Sequence, residues 1–215
     1  MKIVPIVLAV NESEFEQQFQ KVVSLTNQVS IDIADGLAAP NTTLSLEQIL
    51  KSLRDKGDQL ADKKLDFDLM VKDWVPLVET LQKQQNKLKI NSVVIHQKYL
   101  KKLPVVDFTL GVALDPDDEI SIAKLKRFPL IQIMTIDLGF QGSPFKPETL
   151  VKITTLRQNQ YAGQIVIDGG VNDQTLPLIL ENKGLPDILG VGSFLTSAEN
   201  PQENYNKLEY LINAH

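Results

Sequence analysis

Three aspartates interrupt apolar, β-branched runs: Asp32 between Ile31 and Ile33, Asp68 between Phe67 and Leu69, and Asp168 behind Ile165-Val166-Ile167. An ionised carboxylate in an apolar interior is costly unless it is paired, hydrogen-bonded or metal-bound. None of the strand-like runs carries a Lys or Arg that could pair with these acids. Hydrogen bonds to loop amides or buried water would explain one such residue. Three on separate runs point instead to a cluster that transfers protons or binds a metal.

The elements that would position these acids alternate from end to end. Strand candidates are Val4–Val10, Val29–Ala34, Leu65–Val71, Ser92–His96, Val105–Leu114, Leu130–Ile136, Gln164–Asp168 and Asp187–Gly192. They are almost continuously apolar, as expected of parallel strands covered on both faces. Between them lie helical patterns with start signals. Asn11 precedes the stripe Phe15, Phe19, Val22 and Val23, and Ser45 with Gln48 makes a capping-box pattern before Ile49, Leu50 and Leu53. Asp73 precedes Trp74, Leu77, Val78 and Leu81; Pro147 opens a further helix, Asn172 caps the next, and Tyr205, Leu208, Leu211 and Ile212 line the last.

Eight such units predict an α/β fold, one (β/α)8 TIM barrel over residues 1–215, compact beside the ~250 residues typical of the architecture. The short connection 97–104 predicts a reduced fourth helix. A doubly wound sheet would need a glycine-rich turn after the first strand, where Val10-Asn11-Glu12-Ser13 stands instead. In a barrel the three aspartates all fall near C-terminal strand ends, the face on which barrel active sites are built.

Bulk composition narrows the function classes. With 43% hydrophobic and 23% charged residues the chain reads as an ordinary soluble globular protein. No cysteine is present, which fits a reducing compartment; Val4–Val10 is too short to span a membrane and has no signal-cleavage pattern, so a cytoplasmic protein is expected. The net charge of −5 is spread along the chain, with no basic cluster interleaved with aromatics, so neither nucleic acid nor membrane is an expected partner.

Glycines mark three loops at the same barrel end: Gly169-Gly170 after the seventh strand, Gly192-Ser193 after the eighth, and Gly139 to Pro144, containing Gly142, after the sixth. Barrels often hold phosphate on backbone N–H groups in the loops after strands seven and eight, where glycine permits close approach. The sixth loop reads as a segment able to close over a ligand. Together they predict a phosphorylated ligand.

With these residues in place, the chain resembles the ribulose-phosphate 3-epimerase family over nearly its whole length. Ser30-Ile31-Asp32-Ile33-Ala34-Asp35-Gly36, with Pro40-Asn41, resembles that family's second-strand motif His-x-Asp-x-Met-Asp-Gly followed by Pro-Asn. Asp66-Phe67-Asp68-Leu69-Met70-Val71 is similar to its third-strand Asp-x-His-Leu-Met-Val. Met134 to Phe145, Ile167 to Val171 and Val191-Gly192-Ser193 resemble its sixth, seventh and eighth strand elements. The resemblance implies an isomerase of carbohydrate metabolism that inverts C3 of a pentulose 5-phosphate. Asp32 and Asp168 would exchange protons with opposite faces of an enediolate, one acting as acid and the other as base. It further implies a divalent metal held by two histidines and the two aspartates, and assembly into homo-oligomers.

The chain departs from that pattern at the metal. Ser30 and Asp68 stand at the two histidine positions, Ile6 replaces a serine after Pro5, and Ala34 replaces one of three site-lining methionines, leaving Met70 and Met134. His96 stands at a fourth-strand histidine position outside the metal set, open to either a packing or a site role. An oxygen-rich set of Asp32, Asp68 and Asp168, with Ser30 at the remaining ligand position, suits Mn²⁺ or Mg²⁺ better than Zn²⁺. Three readings follow: an epimerase with such a site, an isomerase or aldolase-type enzyme acting on another sugar phosphate without metal, or a non-catalytic phosphosugar-binding barrel. Retention of two costly buried acids favours the first. A decarboxylase or synthase of the Asp-x-Lys-x-x-Asp kind is disfavoured, because the third-strand run contains no lysine.

Overall fold

The computed structural model describes residues 1–138 and 142–215. Among them, β1 (Lys2–Val7), β2 (Gln28–Ala34), β3 (Lys64–Met70), β4 (Ile90–His96), β5 (Thr109–Leu114), β6 (Leu130–Met134), β7 (Gln164–Asp168) and β8 (Ile188–Val191) close into a parallel barrel in sequence order. Closure is completed where Lys2–Pro5 pair with Ile188–Val191. β1 ends at Val7, the last residue to pair with β2, rather than at the expected Val10. The fifth strand starts at Thr109 rather than Val105, whose side chain is fully exposed.

The helices are α1 (Glu12–Val22), α2 (Leu46–Arg54), α3 (Val75–Gln84), α4 (Ile122–Leu125), α5 (Val151–Gln158), α6 (Leu176–Leu180), α7 (Ser193–Thr196) and α8 (Pro201–Ala214). The connection from β4 to β5 holds only a 3₁₀ turn, Gln97–Tyr99, the reduced fourth helix expected from its length. Single-turn α4, α6 and α7 make the rest of the chain short enough for a barrel of this size. Asn11 caps α1 by accepting from the Glu14 amide, and Ser45 with Gln48 forms a reciprocal box at α2. Trp74, not Asp73, is the cap residue of α3; the Asp73 carboxylate instead pairs with Lys101 at 2.9 Å. Asn172 accepts from the amides of Gln174 and Thr175, in the turn that leads into α6.

Side chains alternate across each strand, so one set faces the helices and the other the barrel interior. Ile31, Ile33, Phe67, Leu69, Ile131, Ile133, Ile165 and Ile167 belong to the large core shared with the helices. Val4, Val94, Ala113, Met134, Val166 and Ile188 form a separate cluster inside the barrel. Two apolar faces per strand give the continuous apolar runs, and the polar exceptions take the inward register of this second set. Among them, Asp66 lies toward the N-terminal end of the barrel and accepts hydrogen bonds from Gln28, Asn91 and Ser92. It is a fully partnered structural acid. On β8, a Cβ at Gly190 would lie 2.6 Å from Cδ1 of Ile6, so glycine there makes room for the isoleucine of β1.

Candidate active site

Two residues further along their strands, the inward positions carry the three predicted aspartates. Asp32 and Asp68 are register partners on β2 and β3, and Asp168 pairs with Met134 at the end of β7. All three are buried, and one carboxylate oxygen from each lies within 4.8 Å of the others. Asp32 and Asp168 face a cavity of about 380 Å³. Asp68, only 1% exposed, lies beneath its floor and meets the other acids rather than the open space.

The network under the floor extends well beyond the predicted residues. His96 is fully buried at the end of β4, with Nε2 3.1 Å from Oδ1 of Asp68 and Nδ1 2.6 Å from Oδ1 of Asp115. Lys98 pairs with the other Asp115 oxygen at 2.8 Å. Gln132 of β6 donates from Nε2 to Oδ2 of Asp68 at 2.7 Å and to Oδ2 of Asp168 at 3.1 Å. Among the described residues, Oδ1 of Asp32 has no hydrogen-bond partner.

These surroundings set the protonation states. Burial, followed by the charges of Asp168 and Asp68, pushes the Asp32 carboxyl well above its usual range. Burial and then Asp68 push Asp168 up to about 8, with His96 pulling in the opposite direction. For His96, burial favours the neutral ring, but Asp68 and Asp115 outweigh it and raise the pKa to about 10. Asp115 shows the reverse balance: burial would raise it, while His96 and Lys98 hold it below the usual carboxylate range. The cavity thus has two acids inclined to hold protons, standing over an ion-paired layer.

The opposite end of the cavity is formed by loops. Gly142 and Ser143, Gly169 and Gly170, and Gly192 and Ser193 all line it, bringing together the described parts of the three predicted glycine loops. Gly139 lies outside the described residues. Gly169 and Gly170 have φ values of 109° and 66°, the left-handed region that glycine enters without penalty. Thr135 donates from its hydroxyl to the carbonyl oxygen of Asp168, and its amide does the same at 2.7 Å, fixing the backbone where β7 turns into this loop. Ile6, Met70 and Met134 form apolar wall. Ala34 does not reach this cavity; it packs with Ala39 and Met70 behind the wall. Ser30 lies one inward layer deeper, in a small space shared with Gln28, Asp66 and Gln132.

Sequence reasoning missed Gln132, Asp115 and Lys98. Gln132 was visible as the polar interruption of Leu130-Ile131-Gln132-Ile133-Met134, in inward phase with Met134; Asp115 directly follows the apolar end of β5. Nothing in the sequence places Lys98 next to Asp115. As a metal site, the three buried carboxylates fit a hard divalent cation, and the unpartnered Asp32 oxygen leaves one ligand position unsatisfied without one. His96, committed at both ring nitrogens to carboxylates, is not available as a ligand.

The chain is similar to known proteins along its length. A relative named ribulose-phosphate 3-epimerase from Eremothecium gossypii is 26% identical over 189 residues, covering 81% of this chain and 78% of the relative. The cytoplasmic isoform of ribulose-phosphate 3-epimerase from Oryza sativa subsp. japonica is 26% identical over 212 residues, covering 92% and 89%. In fold, the chain is similar to 3-hexulose-6-phosphate synthase from Salmonella typhimurium, with a TM-score of 0.66 at 15% identity over the whole of both chains. The model of the ribulose-phosphate 3 epimerase family matches residues 2–195, and the chain belongs to that family.

Proposed function

We propose that this protein is a sugar-phosphate isomerase that inverts C3 of a pentulose 5-phosphate through an enediolate. The observation that carries the reading is the pair Asp32 and Asp168, both buried, both with raised pKa values and both facing one cavity. Asp168 in its ionised form takes the C3 proton, and Asp32 in its protonated form delivers one to the opposite face. Two carboxylates in opposite protonation states are what such a step needs, and a desolvated pair repelling one another holds a proton between them at neutral pH. The substrate's phosphate rests on backbone amides of the glycine loops around Gly142, Gly170 and Gly192, with Ser193 beside them, which orients C3 toward the acids. Ile6, Met70 and Met134 exclude water from the carbon being deprotonated.

A divalent cation, Mn²⁺ or Mg²⁺ in preference to Zn²⁺, would be held by Asp32, Asp68 and Asp168 and would neutralise negative charge building on the substrate oxygens. Ser30 lies too deep in the barrel interior to be assigned to that set. A cytoplasmic location accords with the name of the rice relative. Among the described residues, no helix is long and apolar enough to cross a membrane.

The test is NMR of deuterium incorporation at C3 of D-ribulose 5-phosphate in D₂O, with EDTA and with added Mn²⁺, Mg²⁺ or Zn²⁺. Incorporation is the expected result. Its absence under every condition removes the epimerase reading in favour of another sugar phosphate or a binding protein.

A further inference from the structure

Gln132 occupies a position that the proposed reaction leaves unexplained. It is buried on β6, and its Nε2 stands between two of the three carboxylates, 2.7 Å from Asp68 and 3.1 Å from Asp168. An amide nitrogen carries two hydrogens, so spanning both acids uses both. The other oxygen of Asp68 meets His96. Donor groups therefore satisfy Asp68 on both sides and Asp168 on one, while Oδ1 of Asp32 is a buried oxygen without a partner among the described residues.

A cation bridging Asp68 and Asp168 would need the space between them that this NH₂ group holds. The two ways of offsetting the acids' charge compete. Binding a cation requires the carboxamide to turn; turned end for end, it offers Oε1, a hard oxygen ligand, in place of two donors. The cost of that turn includes both hydrogen bonds that Nε2 donates to the two acids.

We propose that Gln132 is a positioning residue that stands in for a bridging cation, holding Asp68 and Asp168 in their working arrangement without metal and making divalent-cation binding weak. The inference rests on reading these aspartates as the active-site acids, but its test does not pass through turnover.

Full-length protein stripped with EDTA is titrated with Mn²⁺, and the free ion is followed by its electron paramagnetic resonance signal, with thermal unfolding measured in parallel. Gln132→Ala removes both donors and vacates the space between the two acids. It is expected to bind Mn²⁺ at least tenfold more tightly than the native protein, and its unfolding temperature is expected to rise with Mn²⁺ while that of the native protein does not. Equal affinity in the two proteins, or tighter binding by the native one, overturns the inference. Should Gln132→Ala not fold, Gln132→Glu decides: it keeps the shape and replaces donors with an oxygen ligand, so an affinity no higher than native overturns the inference equally. Because Mn²⁺ binding is read without substrate, its outcome is independent of deuterium incorporation at C3. A failure of the epimerase reading is thereby told apart from a failure of this one.

Discussion

The imidazole of His96 sits between two acids, 3.1 Å from Oδ1 of Asp68 on one side and 2.6 Å from Oδ1 of Asp115 on the other. Ionised carboxylates only accept hydrogen bonds, so both ring nitrogens donate and the ring is an imidazolium. Its pKa, about 10 in the folded protein, exceeds the value of about 6.5 expected when unfolded. A raised pKa of this kind stabilises fully below the unfolded value and is lost as pH rises through the folded one. Urea unfolding should therefore show native stability declining from pH 6.5 toward pH 10. His96→Phe should be less stable by about 3 kcal/mol at pH 6.5, since it strands two buried acids, and should show a shallower decline. Parallel declines would place the proton elsewhere.

Removing the proposed base without changing its shape separates chemistry from binding. Asp168→Asn should reduce C3 proton exchange by about 10³-fold, within the range general-base catalysis supplies, while calorimetry finds sugar-phosphate affinity within a fewfold of native. Asp32→Asn should instead abolish inversion at C3, since Asp168 can still remove and return a proton on its own face. Retained exchange in Asp168→Asn, or retained inversion in Asp32→Asn, rules out that residue's role.

The pH dependence of exchange follows from the same pair. Burial first, and then the charge of Asp68, set Asp168 at about 8, so below that pH most molecules carry a proton on the proposed base. Exchange by EDTA-treated protein should rise about tenfold per pH unit up to pH 8 and level above it. A rate independent of pH between 6 and 9 would contradict Asp168 as base.

Gly169 follows Asp168 directly at φ 109°, and a Cβ there would lie 2.4 Å from Cγ1 of Ile136. Gly169→Ala should cost about 1–3 kcal/mol of stability from the backbone conformation alone and should also depress exchange, because the strained turn carries the base. Differential scanning calorimetry and the deuterium assay read the two effects. An alanine variant as stable as native would mean that the turn relaxes without loss.

Much of this arrangement was legible because barrel strands impose a simple code. Apolar runs covered on both faces gave the eight strands, and a charged residue inside such a run had to face either a partner or a site. That reasoning singled out Asp32, Asp68 and Asp168, which the barrel brings together at one end. It was weaker on strand ends, where pairing partners decide: β1 stops at Val7, where its pairing with β2 ends, although apolar residues continue to Val10. His96 stood open between packing and site, since only three-dimensional proximity shows that it joins Asp68 to Asp115. Ala34 failed as a lining residue for the opposite reason. Its small side chain does not reach the cavity, and it packs with Ala39 and Met70.

The fit of Ile6 against Gly190 carries a lesson for anyone redesigning this wall. The two positions share one volume across the β1–β8 seam, so neither can be varied alone without leaving a void or a collision. Serine at position 6 would vacate space that only a small residue at 190 could take up, because a Cβ there would also lie 3.0 Å from the carbonyl oxygen of Ile167, and enlarging 190 first would have no room. Substitutions at these sites are therefore expected to be non-additive, and a library that samples them one at a time would discard both halves of a workable pair.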